Sequence, residues 1–189
     1  MKEKLQHYIS RYIQLDDSDF EHFYSLLQVD QFSKKEFLLE EGKISRNQFF
    51  ILEGLVRTFY TDHNGNEKVI QFGIENWWVT DMDSFINQQV SMVTIQALEK
   101  TKVLSISKTK LDQAFLEIPK LERLFRIITE KSLVAQQRKS HFFMKASSKE
   151  RYLGLIKAIP NFVQRVPQYM IASYLDITPE YLSDLRKKH

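Results

Sequence analysis

Apolar residues recur at different rhythms along the chain, and the rhythm divides it. Over residues 1–30 the rhythm is helical: Leu5, Tyr8, Ile9, Tyr12 and Ile13 share one face. Asp16 to Asp19 interrupt it and offer N-caps for a second helix, with Phe20, Phe23, Tyr24 and Leu27 on one side. From 32 to 107 the period shortens. Gly42, Gly54, Gly65 and Gly73 separate runs rich in aromatic and β-branched residues. NQFFILEG, LVRTFYTD, EKVIQFG, VTIQALE and KVLSIS read as strands. Asn64-Gly65 predicts a tight turn between two of them. Short strands in series, with turns between, predict an antiparallel barrel or sandwich.

The helical rhythm returns over 108–146. Leu111 and Phe115 mark a short segment, and Pro119 suits the first turn of the next helix. Leu121, Leu124, Phe125, Ile128, Leu133 and Val134 then form an apolar stripe, about seven turns long if it runs to Met144. A helix that long and only partly apolar predicts an oligomer seam holding Leu121, Leu124, Ile128 and Leu133. Ser147 or Ser148 caps a further helix through Ala158, which Pro160 and Asn161 close.

The ending, IASYLDITPEYLSDLRKKH, reads as two short helices around a tight bend. Counting from Gln168, Ile171, Leu175, Ile177, Leu182 and Leu185 take the buried positions of a helix-turn-helix, and Ala172 is small where the helices touch. Pro167 opens the first helix. Thr178 is a good N-cap for the second and Pro179 suits its first position. Asp176 stands at the turn, where a left-handed backbone favours Gly; Asp tolerates it better than most residues.

Charge sharpens this picture. Residues 1–130 carry 16 Lys and Arg against 20 Asp and Glu, a net of −4. Residues 131–189 carry 11 against 4, a net of +7. A basic end on an acidic body predicts a polyanion-binding module. The outer face of the last helix would read bases through Glu180, Tyr181, Ser183, Asp184 and Lys187, with Thr178 and Arg165 on phosphates. Asp184 is unfavourable beside phosphates, yet a carboxylate accepts from the cytosine amino group. Arg186, Lys187 and Lys188 supply positive charge within one turn.

Other chemistry is thinly represented. With no Cys there are no disulfides, thiol nucleophiles or Cys-based metal sites. His7, His22, His63, His141 and His189 lack metal-ligand spacing. There is no P-loop, GxGxxG or GxSxG. Asp81 and Asp83 read as a loop or pocket rim rather than an acid/base pair. No apolar run approaches the ~18–20 residues that span a bilayer. The first twenty residues are too charged for a secretory signal, so a cytoplasmic protein is expected.

In order, these parts are a helical cap, a Gly-punctuated barrel, a long helix and a helix-turn-helix. The chain thereby resembles the Crp/Fnr family of bacterial transcription regulators, on FLLEEGKISRNQFFILEGLVRTFY and on the ending. The resemblance implies an α+β fold. A cyclic-nucleotide-binding-like jelly-roll barrel, related to cupins in shape, would fill 1–118, a dimerisation helix 119–145 and the DNA-binding domain 146–189. It also implies a homodimer on a two-fold symmetric duplex, RNA polymerase as a further partner, no enzymatic activity and no resident cofactor.

The effector site departs from the family pattern. Members that bind cyclic nucleotides carry a Gly-Glu pair and, ten residues after the Glu, an Arg-Ser pair on the phosphate. Here Thr80 and Asp81 stand for Gly-Glu, and Ser91 and Met92 for Arg-Ser. No Arg occurs between Arg57 and Arg123. Gln136 and Gln137 match the polar positions that the long helix supplies. A pocket bounded by Trp77, Trp78, Asp81, Ser91, Met92, Gln136 and Gln137 is expected to lack its phosphate clamp and not to answer to cyclic AMP. Arg57 or Arg138 is the cation that could replace the clamp. The alternative is a module of the same fold that has lost DNA binding, which Asp184 and the short C-terminus favour. A cupin-type enzyme would need a strand-borne metal triad, and only His63 lies in the strand region, in a turn.

Overall fold

The computed structural model describes residues 1–159 and 161–187; Pro160, Lys188 and His189 lie outside the described residues. The chain opens with α1 (Lys2–Ser10) and α2 (Asp17–Ser25). Asp16 caps α2 by accepting from the Asp19 N–H at 2.9 Å, as the interrupted pattern predicts.

Eight strands follow: β1 (Gln28–Phe32), β2 (Phe37–Leu39), β3 (Asn47–Glu53), β4 (Val56–Thr61), β5 (Glu67–Gly73), β6 (Trp78–Val79), β7 (Thr94–Ala97) and β8 (Thr101–Ser107). They form two four-stranded antiparallel sheets, ordered β1-β8-β3-β6 and β2-β7-β4-β5, the order of a jelly roll. The sequence pattern predicts five of these strands and misses β1, β2 and β6. It also misses the short helix α3 (Met82–Asn87). The turn at Asn64-Gly65 is longer than a two-residue hairpin. Asp62 organises it, its carboxylate accepting from the Asn64 and Asn66 N–H groups, while Gly65 takes φ +81°.

Alternation sorts the strand residues into two layers. Leu39, Phe49, Ile51, Val56, Val79, Ile95 and Val103 fill the space between the sheets. Phe50, Leu52, Leu104 and Ile106 face the other way and pack under Leu5, Ile9, Phe20 and Phe23 of the helical cap. Burying each such side chain contributes about 1.5–3 kcal/mol.

Next come α4 (Lys108–Glu117), α5 (Lys120–Lys145), α6 (Ser148–Ala158), α7 (Phe162–Arg165), α8 (Gln168–Leu175) and α9 (Pro179–Lys187). Pro119 is the N-cap of α5, at the start of the turn where the sequence pattern places it. Ser147 and Glu150 form a reciprocal capping box at α6. The start of α5 belongs to the barrel: Leu121 and Leu124 are fully buried against the helical cap, and Ile128 is partly buried there. This corrects the expected seam, because side chains already consumed by the protomer's core cannot face a partner. From Thr129 to Arg138 the helix is exposed, with Leu133 and Val134 uncovered.

Candidate nucleic-acid interface and effector site

The helix-turn-helix is built by local rules. Asp176 adopts the left-handed conformation, φ 55° and ψ 50°, and closes α8 by donating its N–H to Ser173 O at 3.2 Å. Ile177 N–H returns to Ala172 O at 3.0 Å. Thr178 Oγ1 accepts from Tyr181 N–H at 3.2 Å, so the expected cap is present. Ile171, Ala172, Leu175, Leu182 and Leu185 are buried where the two helices cross, and Ile177 is half-buried. Arg151 fixes the pair to the long helix. Its guanidinium donates to Phe143 O, to Ala146 O at 3.1 Å and to Leu175 O at 3.5 Å.

That packing leaves one face of α9 open. Glu180, Tyr181, Asp184, Arg186 and Lys187 are exposed and Ser183 is half-buried. Lys187 Nζ lies 3.9 Å from the Asp184 carboxylate, a loose surface pair of little energetic weight.

Arg165 is elsewhere. From α7 it reaches two turns at one end of the barrel. It donates to Glu75 at 2.8 and 3.3 Å and to Glu99 at 2.5 and 3.4 Å. Burial pushes the Glu75 carboxyl up, but the hydrogen bonds from Arg165, from its own N–H and from Gly54 N–H outweigh it and hold it below its ordinary value. The Glu99 and Glu75 bonds raise the Arg165 guanidinium further above its ordinary value. An arginine so engaged is not presented to a phosphate, which corrects its expected role.

Further contacts that the sequence reading missed join the same two parts. β5 is an edge strand, and its outer hydrogen-bonding groups would otherwise be open. Ser173 Oγ accepts from Val69 N–H at 3.0 Å and donates to Glu67 O at 3.1 Å. Lys139 Nζ donates to Ile70 O at 2.7 Å and sits 4.1 Å from the centre of the Tyr174 ring. Burial pushes the Lys139 amine down to about 8. Phe72 packs on Phe162 and Tyr174, at 4.8 and 5.2 Å between ring centres. None of Glu75, Glu99, Lys139 and Ser173 carries a local motif. Only the acidic body and basic end hint that the two parts attract each other.

The effector positions form a closed polar loop. Asp81 caps α3, and its other oxygen accepts from Ser91 Oγ at 2.6 Å. Ser91 is buried, and its backbone bonds Gly42 and Lys43, each at 2.8 Å. Thr80 Oγ1 donates to Asn47 O at 3.0 Å and lies 2.9 Å from Ser45 Oγ. Trp78 packs between Phe50 and Phe125, while Trp77 and Met92 are exposed and close nothing. Gln136 and Gln137 are exposed on α5. Neither spare cation fills the gap. Arg57 is buried on Gln96 and Glu67, 4.0 Å from the centre of the Phe59 ring, and Arg138 is exposed. Of two surface clefts, one of about 270 Å³ beside Phe37, Ile44 and Phe49 borders this loop, sharing Lys43, Ser45 and Asn47 with it, and one of about 460 Å³ lies between Tyr12 and Arg123. Among the described residues no group of three or more His, Asp or Glu is placed to hold a metal ion.

Residues 29–117 match the family model of the cyclic nucleotide-binding domain. Two curated transcriptional activators align over 120 residues, Anr of Pseudomonas protegens at 27% identity and FnrA of Stutzerimonas stutzeri at 28%. The chain is thus similar to transcription regulators of the Crp/Fnr family. Each alignment covers 62% of this chain and 48% of the relative, so the chain spans about half the length of the curated relatives it matches. Across the whole Crp/Fnr-type fold, it is similar to the c-di-GMP-responsive regulator CLP of Xanthomonas campestris. The TM-score is 0.73 at 17% identity, covering 92% of this chain and 91% of that one. At that identity the likeness is one of fold. No helix among the described residues is long and apolar enough to cross a membrane.

Proposed function

We propose that the chain is a DNA-binding transcription regulator that acts as a cytoplasmic homodimer and does not answer to cyclic AMP. One observation carries this reading: α9 packs through Leu182 and Leu185 and leaves Glu180, Tyr181, Asp184 and Lys187 open to a major groove. The basic end beyond residue 130 supports it, as do relatives named as transcriptional activators. The barrel and cap (1–118) would be the sensory part, α5 (within 119–145) the dimer helix and 146–189 the DNA-binding domain, with RNA polymerase a further partner.

Gel-shift titration tests the reading, using DNA from upstream of the protein's own gene across a salt series. Binding should weaken steeply with salt, since released counter-ions drive phosphate contact. Lys187→Ala should weaken every duplex alike and flatten the salt slope by about one. Glu180→Ala should change sequence preference, at about 1–3 kcal/mol for each lost base contact. One observation favours the alternative of a module without DNA binding: Asp184 beside Lys187 offsets charge on the reading face. A flat salt response in the parent would decide for that alternative.

The uncovered stretch of α5 supports the dimer. Leu133 and Val134 are 56% and 42% exposed in the protomer and lie on a helix whose neighbours there are solvent. Leu133→Glu should leave the fold intact and shift sedimentation from dimer to monomer at micromolar concentration. A monomeric parent would end the dimer proposal.

A further inference from the structure

We propose that Arg165 is a positioning residue, which pins the helix-turn-helix to the barrel so that the recognition helix is held at one angle. The proposal rests on the DNA-binding reading above. Glu75 lies between β5 and β6, and Glu99 between β7 and β8. One guanidinium spans both carboxylates with four hydrogen bonds. A planar fork suits this bidentate geometry, and a lysine ammonium does not. The anchor is also tied into the barrel itself, because Glu75 Oε1 accepts from Gly54 N–H at 3.1 Å in the β3–β4 turn. Three turns of one barrel end are therefore coupled to a single side chain of the other part.

The remaining contacts agree in direction. Ser173 and Lys139 complete the open edge of β5, and Phe72 closes on Phe162 and Tyr174. Ser173 and Tyr174 belong to α8, the helix that packs beside α9. Displacing Arg165 toward a phosphate would break all four of its bonds. Its contribution to DNA binding is therefore orientation. In a dimer two recognition helices must meet major grooves about 34 Å apart, so a fixed angle matters for two half-sites together and hardly for one. Loosening the domain costs the pre-organisation that makes the second contact effectively intramolecular.

The test compares the parent, Arg165→Gln and the double variant Glu75→Gln/Glu99→Gln. The probe is a symmetric duplex selected by the parent from a random pool, with a version cut to one half-site. Both variants should lose about 10–100-fold on the two-half-site duplex and less than about threefold on the half-site, since neither removes a DNA contact. The double variant is decisive because it retains Arg165. Were Arg165 a phosphate contact, freeing it from its carboxylates would strengthen binding, and that result would overturn the proposal. So would equal losses on both duplexes. Arg165→Lys should recover only part of the loss. A DNA-free readout separates this idea from the reading beneath it: amide hydrogen exchange in 67–73 and 168–175 should quicken in both variants. Unchanged exchange refutes the latch whatever the DNA result, whereas a parent that binds no duplex refutes the DNA-binding reading and leaves the exchange result to decide the latch.

Discussion

Replacing Gly54 with alanine should lower the melting temperature more than any other single methyl added to a glycine turn of this barrel. Gly54 sits in the β3–β4 turn at φ +109°, beyond the left-handed helical region that Asn or Asp tolerates. Holding a side-chain-bearing residue there costs about 1–3 kcal/mol. The added Cβ would also lie 2.5 Å from Thr101 Oγ1, 2.7 Å from Thr101 Cα and 2.9 Å from Lys100 O. Two of those atoms are backbone, so no rotamer change relieves the overlap. Together the terms reach roughly 3–5 kcal/mol, a value reserved for strained or overpacked sites. For a chain of this size each kcal/mol lowers the midpoint by about 2–4 °C, giving a fall of about 6–20 °C by calorimetry. Gly42→Ala is the control. Its φ is +81°, but nothing lies within 4 Å of the new methyl, so strain of about 1–2 kcal/mol is all it should cost. Equal effects of the two would refute the steric argument. Gly54→Ala should also quicken exchange in 168–175, because Gly54 N–H supports Glu75 and Glu75 holds Arg165.

The two ends of the chain differ in how legible they were, and the reason is the range of the forces. The helix-turn-helix follows from local rules. Asp176 in the left-handed turn and Thr178 as a cap act within four residues, and Ala172 meets a helix that begins seven residues on, so spacing alone reveals them. The missed strands β2 and β6 have three and two residues, too few for a period of two to show. β1 has three exposed and two half-buried residues, so it has no buried apolar face to read. The stripe on α5 was visible, but periodicity says that a face is buried and not what buries it. Leu121 and Leu124 went to the chain's own core, and of the four expected seam residues Leu133 alone is exposed. The contacts of Arg165 were invisible, because its partners lie 66 and 90 residues away. In hindsight the charge asymmetry had two readings. Part of the basic end answers the acidic barrel rather than DNA.

The positions expected to hold an effector carry no arginine, and the geometry of Asp81 and Ser91 makes the next expectation stronger. Calorimetry should detect no cyclic AMP binding tighter than millimolar. A cyclic phosphodiester brings a full negative charge into a half-buried loop, and its lost hydration must be replaced there. An arginine does so with two charge-assisted hydrogen bonds, each worth about 1.5–3 kcal/mol. Their absence removes about 3–6 kcal/mol, roughly two to four powers of ten in affinity. Ser91 does not recover this, since its hydroxyl lies 2.6 Å from Asp81 and 2.8 Å from Val93 O and its residue is 1% exposed. Asp81 then presents like charge to the phosphate. Arg57 is too firmly held to move in, because leaving Gln96 and Glu67 would strand a buried guanidinium. Ser91→Arg alone should not create a site, for the new side chain would have to displace a buried residue that bonds Gly42 and Lys43 through its backbone. Micromolar binding by the parent would show that the phosphate is received by another part of the barrel, and the closed loop of Asp81 and Ser91 would then be structural only.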